Sequence, residues 1–126
     1  MAFLTLNLLT PSGIVFEGEA TYVSLPSSKG VLGLLPNHTP LIAELAPKGV
    51  LRVVNGDAEK YFAISYGAIE VKKEKTIVLT EKAIEASSLD EAKELLKNPP
   101  FVKKMDKDID VKTAEYKIKK SLENGK

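Results

Sequence analysis

Through most of the first 86 residues, apolar and polar side chains alternate at every second position, the period of extended chain. Residues 3–9 set Leu4, Leu6 and Leu8 on one side and Phe3, Thr5, Asn7 and Leu9 on the other. Thr10-Pro11-Ser12-Gly13 has turn composition, Ile14-Val15-Phe16 is extended again, and Glu17-Gly18-Glu19 reads as a second turn. Ala20 to Leu25 resumes the alternation with Val23 and Leu25 inward, and Pro26-Ser27-Ser28-Lys29-Gly30 closes that run.

Gly30-Val31-Leu32-Gly33-Leu34-Leu35-Pro36-Asn37-His38-Thr39-Pro40-Leu41-Ile42 follows. Two glycines and two prolines in so short a span forbid a helix or a central strand, so short extended pieces and sharp bends are expected. Leu32, Leu34 and Leu35 demand burial, which sets the bends against a core and leaves a docking corner.

Leu41, Ala43 and Leu45 form a further strand, stopped by Pro47-Lys48-Gly49. Val50 to Val54 and Glu59 to Tyr66 are joined by Asn55-Gly56, read as a type I′ hairpin turn with positive φ at both residues. Gly67 separates Ala68 to Lys72, and Lys73-Glu74-Lys75 connects to the β-branched run Thr76 to Thr80. Eight to ten short strands with turns between them predict a sandwich or flattened barrel.

The period changes at Ser88. Ser88-Leu89-Asp90-Glu91 is a capping box, with the serine hydroxyl on the Glu91 amide and the Glu91 carboxylate on the Ser88 amide. Leu89, Ala92 and Leu96, widened by Leu95, form a helix stripe that Asn98-Pro99-Pro100 ends. Phe101 to Met105 reads equally as a turn of helix or a packed linker. A second helix, capped by Asp108 or Asp110, carries Val111, Ala114, Ile118 and Leu122 on one side.

Composition narrows the function classes. A chain of 126 residues with net charge +1, 28% charged and 44% apolar, has no whole-molecule attraction for nucleic acid. No apolar run reaches the roughly 18 residues of a membrane span, and no signal peptide is expected at Met1-Ala2-Phe3-Leu4. Cysteine is absent, which removes disulfide and thiolate chemistry. His38, the only histidine, lacks metal-ligand partners in the sequence and suits a structural or interface position. Gly30-x-x-Gly33 lacks the Gly-Lys-Ser/Thr ending of a phosphate loop, and there is no Gly-x-Ser-x-Gly elbow. From Phe101 to Lys126 eight lysines face five acidic residues, which suits either a solvated helix face or an acidic partner.

The stretch from Gly30 to Leu41 closely resembles the signature loop of the epsilon-subunit family of the F-type ATP synthase. Thr10 to Ala20 is similar to the segment after that family's first strand, and Ala63-Ile64-Ser65-Tyr66-Gly67-Ala68-Ile69-Glu70-Val71 to its Gly-Gly-Phe-x-Glu-Val region. The resemblance implies a mainly β fold with an α tail. An N-terminal ten-stranded β-sandwich over residues 1–86 would precede a C-terminal antiparallel two-helix hairpin over 87–126. It implies a noncatalytic rotor-stalk subunit of the proton-translocating synthase, attached to gamma and touching the polar loops of the c-ring. Such a subunit sits peripherally at the cytoplasmic face of a bacterial inner membrane.

By the same resemblance Ser28, Lys29, Gly30, Val31 and His38 lie on the c-ring side. Tyr66, which stands where the family has the first of two glycines, falls on the gamma side. The helices would inhibit ATP hydrolysis by the alpha and beta subunits, with Lys112, Lys117, Lys119 and Lys120 meeting an acidic loop of beta. Some relatives bind ATP through a first-helix pattern Ile/Leu-Asp-x-x-Arg-Ala. Here Leu89-Asp90-Glu91-Ala92-Lys93-Glu94 puts Asp90 and Lys93 at the corresponding positions, lysine replacing the planar guanidinium. No cofactor, metal or catalytic residue is expected. The competing classes are a stand-alone β-sandwich that binds a small molecule in a closed pocket between its sheets, and a hydrolase.

Overall fold

In the computed structural model, which describes residues 2–102, ten strands and one helix follow one another along the chain. The strands are β1 (Leu4–Thr10), β2 (Gly13–Ala20), β3 (Tyr22–Ser27), β4 (Gly30–Leu34), β5 (Leu41–Glu44), β6 (Lys48–Asn55), β7 (Ala58–Ser65), β8 (Gly67–Val71), β9 (Lys75–Thr80) and β10 (Ala83–Ala86). Helix α1 spans Leu89–Leu95. Two five-stranded sheets result, one ordered β2-β1-β9-β8-β5 and the other β10-β7-β6-β3-β4. The pairing is antiparallel except between β1 and β9.

The alternation read from the sequence decides which side chains fill the space between the sheets. Leu4, Leu6 and Leu8 from β1, Val23 and Leu25 from β3, Leu51 and Val53 from β6, and Phe62 and Ile64 from β7 are all buried there. Ile69, Val71 and Val78 complete the second wall. Phe62 meets the Phe16 ring at a centroid distance of 5.7 Å and a tilt of 59°, a favourable aromatic arrangement.

The registers place the connections at two opposite ends. One end holds the turn after β1, the β3–β4 hairpin and the links β5–β6, β7–β8 and β9–β10. The other end holds the links β2–β3 and β4–β5 and the hairpins β6–β7 and β8–β9. The chain passes between sheets at single residues twice, Thr21 and Tyr66.

Four local expectations are corrected. Glu17-Gly18-Glu19 is not a turn but the middle of β2, paired to Asn7, Leu6 and Thr5 of β1. Leu35 is 60% exposed, because β4 ends at Leu34 and the chain leaves the sheet before Leu35 can turn inward. The hairpin centre is Gly56-Asp57, flanked by the pair Asn55–Ala58, with positive φ at Gly56 alone. That is the sign pattern of a II′ turn, and Asn55 stays in β6 with its Nδ2 donating to the Glu19 carbonyl at 3.2 Å. The capping box is shifted: Ser88 Oγ accepts from Glu91 N at 3.1 Å, but the Glu91 carboxylate accepts from the Ser87 amide and hydroxyl. The second helix lies outside the described residues.

Candidate docking surfaces

Ser28, Lys29, Gly30 and Val31 come together on the β3–β4 hairpin. Ser27 Oγ donates to the Gly30 carbonyl at 2.6 Å and accepts from the Lys29 amide at 3.2 Å, closing the turn on itself. The Ser28 amide donates to Glu44 O at 2.8 Å and Ser27 bridges to Leu45, which ties the hairpin to β5 in the facing sheet. Beside it runs an open groove of about 290 Å³ lined by Ser27, Ser28, Lys29, Ile42, Ala43 and Glu44. Val31 on β4 and Ile42 on β5, each 78% exposed, put one branched apolar side chain on the non-core face of each sheet's edge strand, with Ile42 lining the groove. Gly33 is small for a different reason, since a Cβ there would stand 2.7 Å from the Tyr22 hydroxyl.

His38 is not part of that corner. It lies in the β4–β5 link at the other end, so β4 separates it from the hairpin. Asn37 adopts φ +65, the His38 amide donates to Leu35 O at 3.2 Å, and Nδ1 donates to Thr39 O at 2.6 Å, which holds the half-buried ring against its own loop. Tyr66, 59% exposed, shares the hairpin's end of the sandwich. It overhangs a groove of about 260 Å³ with Pro47, Ser65, Glu81, Lys82, Pro100 and Phe101.

Beneath Tyr66 the crossover is held by a buried polar knot. Thr80 Oγ1 donates to Ser65 O at 2.9 Å and accepts from Ser65 N at 3.1 Å, while Ser65 Oγ accepts from Lys82 N at 2.8 Å. On the non-core face of β6 and β7, Arg52 grips Glu59 through Nε at 3.2 Å and Nη2 at 3.0 Å, and the Tyr61 hydroxyl donates to the same carboxylate. The Arg52 and Tyr61 hydrogen bonds hold the Glu59 carboxyl below its usual range, and Glu59 in turn raises both partners.

Asp90 and Lys93 both stand exposed on α1. Lys112, Lys117, Lys119 and Lys120 lie outside the described residues. Among the described residues Leu, Val, Ile and Phe side chains form the core between the sheets, and toward the β6–β7 hairpin a groove of about 250 Å³, open to solvent, lies between β2 and that hairpin, lined by Phe16, Gly18, Val53, Asn55, Ala58 and Lys60. Neither this groove nor the other two is an enclosed pocket between the sheets.

Ile42 and the Pro47–Phe101 surroundings of Tyr66 were not singled out by the sequence reading. Alternation in β5 carries the signal for Ile42: with Leu41 and Ala43 against the core, the intervening residue must face out. No comparable signal exists for Phe101, which reaches Tyr66 only because α1 doubles back along the sheet.

Residues 3–86 match the family model of the ATP synthase delta/epsilon chain β-sandwich domain. The chain is 40% identical over 96 residues to an ATP synthase epsilon chain of Bordetella avium, covering 75% of this chain and 67% of that one. It is 45% identical over 80 residues to one of Janthinobacterium sp., covering 63% and 57%. Among solved structures, a chain in the mitochondrial ATP synthase of Euglena gracilis superimposes with a TM-score of 0.65 at 23% identity, over 77% of this chain and 61% of that one. One in the central stalk and c-ring of the Tetrahymena thermophila enzyme gives 0.58 at 12% identity, over 80% and 75%. The matched part thus spans about two thirds of the length of the Bordetella epsilon chains. A sandwich of this strand order, matched over nearly all its length by that family's model and by these relatives, makes the chain a member of the ATP synthase delta/epsilon family, among its epsilon chains.

Proposed function

We propose that this chain is the noncatalytic rotor-stalk subunit of a proton-translocating F-type ATP synthase, linking gamma to the c-ring and restraining ATP hydrolysis through its C-terminal region. Residues 1–86 form the docking unit and 87–126 the regulatory unit, in which Lys112, Lys117, Lys119 and Lys120 make the contact to the alpha and beta subunits by meeting an acidic loop of beta. Ser28 to Val31 face the polar loops of the c-ring, and Tyr66 faces gamma. The complex holds the subunit at the cytoplasmic face of a bacterial inner membrane; no described helix is long and apolar enough to cross one. The observation that carries this reading is the family match over residues 3–86 on a sandwich whose edge strands β4 and β5 leave Val31 and Ile42 bare. Val31 beside the self-braced turn and Ile42 on the neighbouring edge strand β5 suit contact with another protein, since their exposure costs solvation and no core covers them.

The test is capture of the chain by purified gamma and by the c-ring, with Val31→Asp and with a chain ending at Val102. Val31→Asp is expected to lose c-ring capture while melting at the original temperature. The shortened chain is expected to keep capture by gamma and to raise ATP hydrolysis in the reconstituted complex. Loss of gamma capture on shortening would assign the docking surface to the wrong part of the chain. Unchanged hydrolysis would remove the brake.

A further inference from the structure

The face of the β10-β7-β6-β3-β4 sheet turned away from the core would be wet in a bare sandwich, yet Ala63 of β7 is fully buried there and Ala86 of β10 almost so. Neither belongs to the cluster between the sheets. What covers them is α1, whose contacts are with β7, β10 and β6 and whose one buried residue is Ala92. Alanines on both surfaces let the helix approach the sheet closely, and a close approach without rotamer loss favours a fixed contact.

The segment is also fastened along its length. At its start Ser88 caps the Glu91 amide, and Ser87 holds the Glu91 carboxylate. At its end Lys48 Nζ, from the first residue of β6, donates to Leu96 O at 3.0 Å, placing a cation on the helix C-terminus. The chain then turns through Phe101 N to Asn98 O at 2.9 Å and Val102 N to Asn98 O at 3.1 Å, which sets Pro100 and Phe101 in the groove under Tyr66.

A helix of seven residues has no stability of its own in water, because nucleation is unfavourable and so few hydrogen bonds follow it. Pro99 and Pro100 prevent it from continuing into a longer rod. Lifted off the sheet, α1 would melt, and it would not travel as a rigid arm. We infer that residues 87–102 are a permanent strap on the sandwich, and that any movement of the C-terminal region is hinged after Val102. The consequence for regulation rests on the proposed brake; the docking of α1 does not.

Hydrogen exchange on the full chain tests this, read in the peptide covering α1 and in peptides of the sandwich. The wild-type amides of Leu96, Lys97 and Asn98 are expected to exchange at least about tenfold more slowly than in an unstructured peptide. Ala92→Arg is expected to abolish that protection and leave the sandwich peptides unchanged. Ala114→Pro, which disrupts the expected second helix, is expected to leave α1 within about twofold of wild type. In the assembled complex α1 is expected to keep its protection with and without ATP. The inference is overturned if wild-type α1 is unprotected, if Ala114→Pro exposes it as Ala92→Arg does, or if it loses protection in the complex under either condition. Gamma capture is independent of all three results, so the rotor-stalk reading and the strap fail separately.

Discussion

Gly67→Ala is expected to be among the most damaging single-atom-scale changes in the chain. A Cβ at Gly67 would lie 1.8 Å from the Leu79 carbonyl oxygen, where real Cβ atoms keep at least 3.0 Å. The obstruction is backbone, so no side chain can swing aside. The two strands must part by about a further 1.2 Å at the point where Gly67 pairs with Thr80. The bonds at risk are Leu45 N to Gly67 O at 2.9 Å and Glu81 N to Tyr66 O at 3.1 Å, which clamp the crossover between sheets. Losing two net hydrogen bonds costs about 2 kcal/mol, and the backbone conformation of φ +157 adds about 1 kcal/mol for a residue with a Cβ. Against a domain stability of roughly 5–15 kcal/mol, a total near 3 kcal/mol is expected to lower the urea midpoint by about 2 M at unchanged slope. Gly56→Ala is the control: its φ is +63 but nothing lies within 4 Å, so only the conformational part applies. Urea unfolding followed by circular dichroism measures both. Equal shifts in the two variants would refute the argument that the Leu79 carbonyl sets the cost.

Phe62→Ala removes the largest fully buried side chain and its Phe16 contact, and calorimetry is expected to show a loss of about 3–5 kcal/mol. Arg52→Ala breaks a two-point grip on Glu59, but the pair is exposed and water screens it, so the melting temperature is expected to move by no more than about 2 °C. Titrating the helical circular-dichroism signal tests Glu91. The Ser87 amide and then its hydroxyl hold this carboxyl below the ordinary 4.5, so its support of α1 is complete above that value and is lost as the pH falls through the lower folded one. Wild type is expected to lose helix only below pH 4.5, and Glu91→Gln to lack that acid step.

Most of the sandwich was legible because its two-residue period is enforced by burial. A slip of one position in β1 would drive Leu4, Leu6 and Leu8 into water, so the pattern admits one register. The failures fall where a tertiary contact outweighs local composition. Glu17-Gly18-Glu19 looks like a turn until β1 pairs with it; Gly18 is then simply the inward residue opposite Leu6, under the Phe16 ring. Asn55-Gly56 has the strongest local hairpin preference, yet the bond from Asn55 to Glu19 and the bond from Gly56 N to Thr21 Oγ1 draw the turn one residue onward. Ser88 begins α1 as its residue type predicts, but Glu91 finds two donors on Ser87.

The placement of His38 shows where reading along the chain fails for a site. His38 and Val31 are seven residues apart in one distinctive stretch, which invites a single surface. Between them β4 runs the depth of the sandwich, five residues at about 3.3 Å each, and carries the two residues to opposite ends. His38→Ala is therefore expected to leave c-ring capture intact where Val31→Asp abolishes it. Equal loss in both would mean that one partner wraps the whole edge formed by β4 and β5, and that the hairpin corner is not a separate docking surface.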